Sequence, residues 1–272
     1  MRMLVVDAFT DRPFAGNPAG VCLLDAPADP AWMQRVAAEM RHSETAFLRP
    51  AGEDGADFEL RWFTPETEVA LCGHATLAGA HALYETGVAP AGRPIRFRTL
   101  HSGVLTVRPA DGDGLLEMDF PASPVGPAAV PDGLEKALGT PVSWTGWTGR
   151  NVQPDLLAEV SGEDAVRGLA PDLAALGALG ARAVIVTARA DPGRGHDFVS
   201  RVFAPSVGVD EDPVTGSAHC ALAPYWSAKL GRDTLTGFQA SARGGHVRTE
   251  LRGDRVALSG GAVTVLDGEL AV

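Results

Sequence analysis

An internal repeat restricts the possible folds of this chain more than any other feature of its sequence. Residues 61–65 (RWFTP) return as residues 201–205 (RVFAP). Each copy is followed by an acidic loop and then by a helix start of Gly and a small residue, at residues 73–75 (GHA) and 216–218 (GSA). One such match could arise by chance, but a shared order of strand, acidic loop and helix start indicates duplication. The sequence therefore predicts two similar halves.

The boundaries of the halves follow from the runs between the motifs. Residues 121–131 (PASPVGPAAVP) are rich in Pro and Ala and have little periodicity, which is typical of a linker. We expect a first half over residues 1–120 with a central helix at 74–86. The second half would cover residues 121–272 with a central helix at 217–230, and the last strand of the chain is a candidate to pack on the first half.

Alternating apolar and polar residues predict strands around both helices, as at residues 58–62, 95–98 and 116–120. A further helix is predicted to start at Asp29-Pro30, with Trp32, Val36 and Met40 on one face. Another is expected at Ser161, with Asp164 completing a weak capping box. Strands followed by embedded helices indicate an α+β fold of two pseudo-symmetric domains.

Composition excludes several classes of function. The net charge of −11, without a basic cluster, argues against a nucleic-acid partner. No apolar run approaches the roughly 20 residues that span a bilayer, and the first residues are too short an apolar run for a signal peptide. We therefore expect a cytoplasmic protein that does not associate with a membrane. Three cysteines without a CxxC pair predict neither a disulfide framework nor a structural metal site.

No nucleotide- or flavin-binding motif occurs, and there is no GxSxG nucleophile elbow. The sequence thus predicts no cofactor. Two halves related by an approximate twofold axis would instead aim their helix starts at one cleft. Unpaired N–H groups and the positive ends of two helix dipoles suit a small carboxylate, which is the partner we expect.

Glu44 is the candidate proton carrier. It lies between a predicted helix end and an apolar strand, so burial there would raise its pKa and make it a useful general acid/base. The alternative is a solvated glutamate at a helix end. From the residues alone, that alternative is the more common situation.

The helix starts hold the other polar candidates. His74 is placed to donate to a substrate oxygen with its pKa lowered by the helix dipole, or else to cap or pack. Asp212 is a candidate to orient substrate, although a helix cap is the simpler interpretation. Ser217 could cap its helix and also bind an anion.

Cys72 precedes Gly73 at a helix start, where a thiol pKa is commonly low. Two-thiol racemases need a second cysteine at the equivalent place. The matching stretch, residues 212–216 (DPVTG), contains none, and Cys220 lies inside the helix as a core residue. Two-thiol catalysis is therefore disfavoured.

Four motifs in order resemble the PhzF family of phenazine-biosynthesis-type isomerases, which have the diaminopimelate epimerase-like fold. They are residues 6–24 (VDAFTDRPFAGNPAGVCLL), 43–48 (SETAFL), 62–83 (WFTPETEVALCGHATLAGAHAL) and 208–219 (GVDEDPVTGSAH). The resemblance covers almost the whole chain. It is specific for family and fold and much less so for substrate.

The resemblance implies that each domain is a curved sheet or barrel wrapped around a central helix, without a cofactor and in a homodimer. Glu44 matches the family's acid/base, and His74, Asp212 and Ser217 match its site residues. Asn17 and Gly73 match residues lining the cleft, which Gly216 would complete. The founding activity of the family is the isomerisation of trans-2,3-dihydro-3-hydroxyanthranilate.

This implies a cofactor-independent isomerase in which Glu44 shifts a proton on a carboxylate-bearing metabolite. One alternative is an amino-acid epimerase or racemase that uses Cys72 with Glu44. Another is a non-catalytic metabolite-binding protein. Arg61, Trp62 and Trp147 are candidates to border the cleft. The sequence around them does not identify a particular ligand.

Overall fold

The structure is a computed structural model that describes residues 1–52, 55–110, 114–149 and 154–271. Its residues group into two units. Unit 1 comprises Met1–Asp119 with Ser259–Val272, and unit 2 comprises Phe120–Leu258. The chain therefore passes from unit 1 to unit 2 and returns for its last strand.

Unit 1 is built on a sheet whose strands surround one long helix. Its elements are β1 (Arg2–Ala8), β2 (Asn17–Leu23), α1 (Pro30–Met40), β3 (Glu44–Pro50), β4 (Phe58–Phe63), β5 (Glu68–Val69), α2 (Gly73–Glu85), β6 (Ile95–Arg98), β7 (Val104–Pro109) and β8 (Leu116–Pro121), the end of which enters unit 2, with the later strand β18 (Ala262–Glu269). Strand β1 pairs with both β18 and β2. The pairs β2–β3 and β4–β6 are parallel, whereas β3–β4, β6–β7 and β7–β8 are antiparallel.

Unit 2 repeats this plan. Its elements are β9 (Val125–Ala128), α3 (Leu134–Leu138), β10 (Trp144–Thr148), β11 (Leu156–Glu159), α4 (Glu163–Arg167), α5 (Leu173–Gly177), β12 (Val184–Arg189), β13 (Phe198–Ala204), β14 (Val209–Asp212), α6 (Gly216–Leu230), β15 (Thr234–Gln239), β16 (Gly245–Arg252) and β17 (Arg255–Gly260), the end of which enters unit 1. The pairs β11–β12 and β13–β15 are parallel, and β9–β10, β10–β11, β12–β13 and β15–β16 are antiparallel. The order of parallel and antiparallel pairs from β2 to β7 thus recurs from β11 to β16.

The two central helices are buried because their surfaces are apolar nearly all round. Helix α2 packs against β1, β2, β3, β7 and β18, and α6 packs against β15 and β16. Small residues allow the close approach: a side-chain carbon on Gly79 would lie 3.0 Å from Leu48 Cδ1. The helices predicted at 74–86 and 217–230 are observed at Gly73–Glu85 and Gly216–Leu230. Sheets curved around central helices confirm the α+β fold.

The repeated motif forms the same ion pair in both units. Arg61 at the end of β4 binds Glu68 through two N–H donors, each 2.7 Å from a carboxylate oxygen. Arg201 at the equivalent point of β13 binds Glu211 in the same way, at 2.7 and 2.8 Å. Each guanidinium also lies over the Phe ring two residues later.

The segment predicted to be a linker is instead part of unit 2. Residues 125–128 within it form β9, which pairs with β10. Pro224, inside α6, has no N–H to give to the carbonyl of Cys220 one turn earlier. Ser123 of the predicted linker donates to that carbonyl at 2.9 Å. The linker prediction was wrong because a Pro-rich stretch has no periodicity but can still form an edge strand.

Two details of the predicted helices also differ. Helix α1 begins as expected after the Asp29 cap, but it buries Met33, Val36 and Ala37 most deeply, and Trp32 and Met40 only border that cluster. The helix expected at Ser161 begins at Glu163, behind Gly162 and without a side-chain cap, so the capping box was wrong. Among the described residues, no helix is both long enough and apolar enough to cross a membrane.

Candidate active site

Glu44, His74 and Cys72 meet in unit 1 where β3 and α2 begin. The Nε2 atom of His74 lies 3.4 Å from Oε2 of Glu44, and its Nδ1 atom lies 3.5 Å from Sγ of Cys72. The His74 side chain is 7% exposed and that of Glu44 is 20% exposed. A buried imidazole therefore lies between a thiol and a carboxylate that is partly open to solvent.

Local structure fixes the positions of Glu44 and Cys72, the two residues that contact His74. Glu44 is the first residue of β3 and lies opposite Ala19 of the parallel strand β2. Cys72, in extended conformation, precedes the first residue of α2, Gly73. Thr76 donates its hydroxyl to the Cys72 carbonyl at 2.5 Å, which closes the first turn. His74 thus projects from a rigid helix start.

Burial sets the charge of His74. Burial, and to a smaller extent the charge of the nearby His42 ring, lowers the pKa of the His74 ring to about 3. The ring is neutral at pH 7, as predicted, although burial is the larger cause and the prediction invoked the helix dipole. A neutral imidazole carries one N–H and one bare nitrogen. A thiol that donates to Nδ1 leaves the proton on Nε2, which faces Glu44.

Nε2 of His74 makes no hydrogen bond within the described ranges, despite its contact with Glu44. A buried N–H group without a hydrogen bond raises the free energy of the folded state. A ligand that accepts a hydrogen bond from this group would therefore be favoured. Glu44, Cys72 and His74 are also the candidate metal donors, with ligand atoms within 4.8 Å of one another. The two nitrogens of His74 face different partners, however, whereas one metal ion binds one nitrogen of an imidazole. This ring orientation fits proton transfer better than chelation.

The equivalent point of unit 2 has a different chemistry. Thr215 takes the place of Cys72 before α6, and its hydroxyl donates to Asp212 Oδ2 at 2.6 Å. Gln239, which is fully buried, accepts from the Thr215 N–H at 2.9 Å and donates to the Asp212 carbonyl at 2.6 Å. The cap interpretation of Asp212 was wrong: Thr215 precedes the helix, and Asp212 holds the Thr215 side chain.

Ser217, the second residue of α6, is exposed and does not cap its helix. Its Oγ accepts a hydrogen bond at 3.2 Å from Nη2 of Arg182. Gly216 is the buried first residue of α6. In unit 1, Asn17 is fully buried at the start of β2, opposite Ala8.

Trp62, Arg61 and Trp147, the candidates to border the cleft, have structural roles in the core, in an ion pair and in a hydrophobic cluster. Trp62 is 1% exposed and lies in the core. Arg61 is held by Glu68, and Trp147 of β10 packs against a hydrophobic cluster of unit 2.

Sequence reasoning missed Arg182, Thr215 and Gln239. Arg182 and Gln239 are far in sequence from the residues that they contact, so no local motif identifies them. An alignment of β3 with β12 would have placed Arg182 beside the position of Glu44. The repeat was the one available signal.

Comparison with known proteins places these features in a family. The sequence matches the family described as phenazine biosynthesis-like protein over residues 6–268. A protein of Halalkalibacterium halodurans named as an uncharacterized isomerase is 48% identical, and the match covers 98% of this chain and 97% of the relative.

Solved structures of related proteins are similar to this chain over its whole length. A PhzF-family phenazine biosynthesis protein of Enterococcus faecalis is 39% identical with a TM-score of 0.91, over 100% of this chain and 99% of that one. A protein of Pseudomonas aeruginosa described as a predicted epimerase is 25% identical with a TM-score of 0.76, over 100% and 99%. With a match over nearly its whole length, this chain belongs to the phenazine biosynthesis-like (PhzC–PhzF) protein family.

Proposed function

We propose that this protein is a cofactor-independent isomerase that moves a proton between two carbons of a small metabolite carrying a carboxylate. Family membership and relatives named as isomerases support the reaction class. The contact of the Glu44 carboxylate with the buried, neutral His74 at 3.4 Å supports the mechanism.

Glu44 is the acid/base in this mechanism. Its carboxylate oxygen takes the proton of an activated C–H bond, an O–H bond forms, and the C–H electron pair moves into the adjacent enamine, enol or carbonyl system. Glu44 then returns the proton to another carbon of that system and is again a carboxylate. No net oxidation or reduction takes place, so no redox partner is required.

His74 assists without carrying the transferred proton. Its Nε2–H donates to the substrate oxygen or nitrogen on which negative charge develops. Since burial lowers its pKa to about 3, the ring stays neutral and does not form a fixed ion pair with Glu44. The catalytic role of Asp212 and the substrate-binding roles of Asn17, Gly73, Gly216 and Ser217, which the sequence predicts, remain part of the proposal.

The test is proton exchange at carbon. The protein is incubated in D2O with a panel of small cyclic amino acids and hydroxy acids, beginning with trans-2,3-dihydro-3-hydroxyanthranilate, and C–H signals are followed by NMR. We expect an isomerised product that keeps part of the substrate hydrogen, because one carboxylate both takes and returns it. Glu44→Gln should reduce the rate by about 10²–10⁴-fold with the fold intact.

A folded Glu44→Gln variant with unchanged turnover would contradict the proposal. Asp25→Asn is the matched control, because that carboxylate is exposed and outside the cluster. Turnover of the control should equal that of the wild type.

Epimerisation with Cys72 as a second base is the alternative that a contact favours, since Sγ lies 3.5 Å from His74. The relative described as a predicted epimerase is consistent with it. This reaction would bring solvent deuterium fully into the product. Full deuterium incorporation that is lost in both Cys72→Ala and Glu44→Gln would establish it in place of the proton shift.

A further inference from the structure

A serine in the hairpin that follows each central helix holds the chain just before that helix. In unit 1, Ser102 lies between β6 and β7, and its Oγ atom donates to the carbonyl of Ala70 at 2.7 Å. In unit 2, Ser241 lies between β15 and β16 and donates to the carbonyl of Pro213 at 2.8 Å. Ala70 and Pro213 each stand three residues before the first residue of the helix. Equivalent contacts therefore hold the two helix starts.

The residue after this carbonyl differs in exposure between the units. Val214 in unit 2 is fully buried, whereas Leu71 in unit 1 is 44% exposed. Leu71 stands directly before Cys72, whose Sγ atom contacts His74. The helix start of unit 1 therefore has an exposed apolar side chain beside the residues that contact Glu44.

The hairpin of unit 1 adds a second exposed leucine. Leu100 lies in its tip and is 62% exposed. Hydrogen bonds close this tip: the Thr99 N–H donates to the Gly103 carbonyl at 2.9 Å, and the Ser102 N–H donates to Thr99 Oγ1 at 2.9 Å. Because Ser102 also binds the residue before Leu71, the contact brings the tip with Leu100 beside Leu71.

Unit 2 has a polar network where unit 1 has these leucines. The register of β6 on β4 and of β15 on β13 places Gln239 at the position of Thr99. Gln239 is fully buried and binds Thr215, the residue before α6, whereas the shorter Thr99 bonds within its own hairpin. The residue after Gln239 is Ala240, where unit 1 has Leu100. The exposed apolar surface is thus a property of the unit that contains Glu44.

We infer that Leu71 and Leu100 bind the nonpolar carbons of the substrate and are specificity-determining residues of the Glu44 site. The inference rests on the proposed function and adds that the substrate carries an apolar part close to the reacting carbon. Binding sites for small molecules combine apolar walls with a few polar groups that orient the ligand. Here Glu44 and His74 are the polar groups, and contact with a ligand would remove apolar surface of both leucines from water.

The experiment compares the binding of cyclohexanecarboxylate with that of acetate, which have the same charge but differ by an apolar ring. NMR titration of the full chain gives both dissociation constants, and the imidazole signals of His74, assigned by their loss in His74→Gln, report binding at this site. Wild type should bind cyclohexanecarboxylate more tightly. Leu71→Ala and Leu100→Ala should each weaken its binding by about three- to tenfold and leave acetate unchanged.

Val88→Ala is the matched control, because Val88 is 51% exposed and lies beyond the far end of α2. It should bind both acids as the wild type does. Leu71→Met and Leu100→Met keep the apolar area and should retain most of the preference. Since both leucines are exposed, the alanine variants should keep the fold, which circular dichroism verifies.

Equal affinity of the wild type for both acids, or alanine variants that keep the full preference, would overturn the inference. A changed oligomeric state of the alanine variants in light scattering, with the preference intact, would assign the leucines to a contact between copies of the chain and overturn it as well.

Glu44→Gln separates the two proposals, since it should stop proton exchange and retain the preference for cyclohexanecarboxylate. Full exchange in Glu44→Gln, with the preference lost in the alanine variants, would refute the isomerase mechanism and leave the apolar surface standing. Exchange that depends on Glu44, with the preference unchanged in the alanine variants, would refute the role of the leucines alone.

Discussion

The starts of the two central helices share a backbone plan but differ in every polar group. Before α2 stand Cys72 and the Glu44–His74 contact, and before α6 stand Thr215 and the Arg182–Ser217 contact. The strands, their directions and the Arg–acid pairs of the motif remain alike in both units. The two units have therefore kept one packing plan with different polar groups at their helix starts, and at the equivalent strand position unit 1 has the carboxylate of Glu44 where unit 2 has Ala183.

The largest expected effect comes from a variant that moves the carboxylate of Glu44 to the equivalent position of unit 2. In Glu44→Ala/Ala183→Glu, the carboxylate stands at the equivalent strand start of unit 2. We expect turnover to stay about 10²–10⁴-fold below wild type, because the second residue of α6 is Ser217, whereas the second residue of α2 is His74. The measurement is the rate of C–H exchange in D2O.

Ala183→Gln in the Glu44→Ala background controls for the added volume, and circular dichroism verifies the fold. Recovery of activity by the moved carboxylate would show that the two starts are interchangeable and that His74 is unnecessary.

Each unit contains a buried histidine whose pKa is lowered. Burial lowers the pKa of His74 to about 3 and that of His219, in α6, to about 4. An unfolded histidine titrates near 6.5, so between these values the unfolded chain binds more protons. The stability from the two neutral rings is present above pH 6.5 and is lost as the pH falls.

Each ring should contribute about 2 kcal/mol of lost stability between pH 6.5 and pH 5. Urea unfolding at a series of pH values measures this slope. His74→Gln and His219→Gln should each flatten it, whatever they cost at pH 7. An unaltered slope in both variants would refute the assignment of the acid sensitivity to these rings.

The polar network before α6 should matter more to stability than the thiol before α2. Thr215→Val removes the donor to Asp212 and the acceptor of Gln239, which is fully buried. Losing these two hydrogen bonds should cost about 1–2 kcal/mol in free energy of unfolding. Cys72→Ala loses one weak contact and should cost less. Chemical denaturation ranks the two, and the reverse order would contradict this difference.

The smallest expected difference lies between the repeated ion pairs. Arg201 donates from Nη1 to the carbonyl of Leu169 at 2.6 Å, in addition to its pair with Glu211. Arg61→Gln should therefore cost about 0.5–1 kcal/mol, and Arg201→Gln roughly 1 kcal/mol more. Thermal unfolding of the two variants measures the difference. Equal shifts would mean that the extra hydrogen bond contributes nothing.

Much of the fold follows from local signals. The repeat, the helix starts at Gly73 and Gly216 and the alternating strands depend on neighbouring residues, and the predictions for them agree with the structure. The cluster of Glu44 with His74 was expected only through the family resemblance. Pairings distant in sequence, such as Arg182 with Ser217, depend on strand register, which no short motif encodes. The Pro-rich edge strand β9 was missed because its stabilising partners lie in β10 and α6.

The pairing of β1 with β18 has a consequence for synthesis on the ribosome. Strand β1 pairs on one side with β2, which follows it closely in the chain, and on the other side with residues 262–269, which are translated only after unit 2. The nascent chain therefore carries an uncovered strand edge through most of its synthesis, and a chaperone that shields such edges would act at β1.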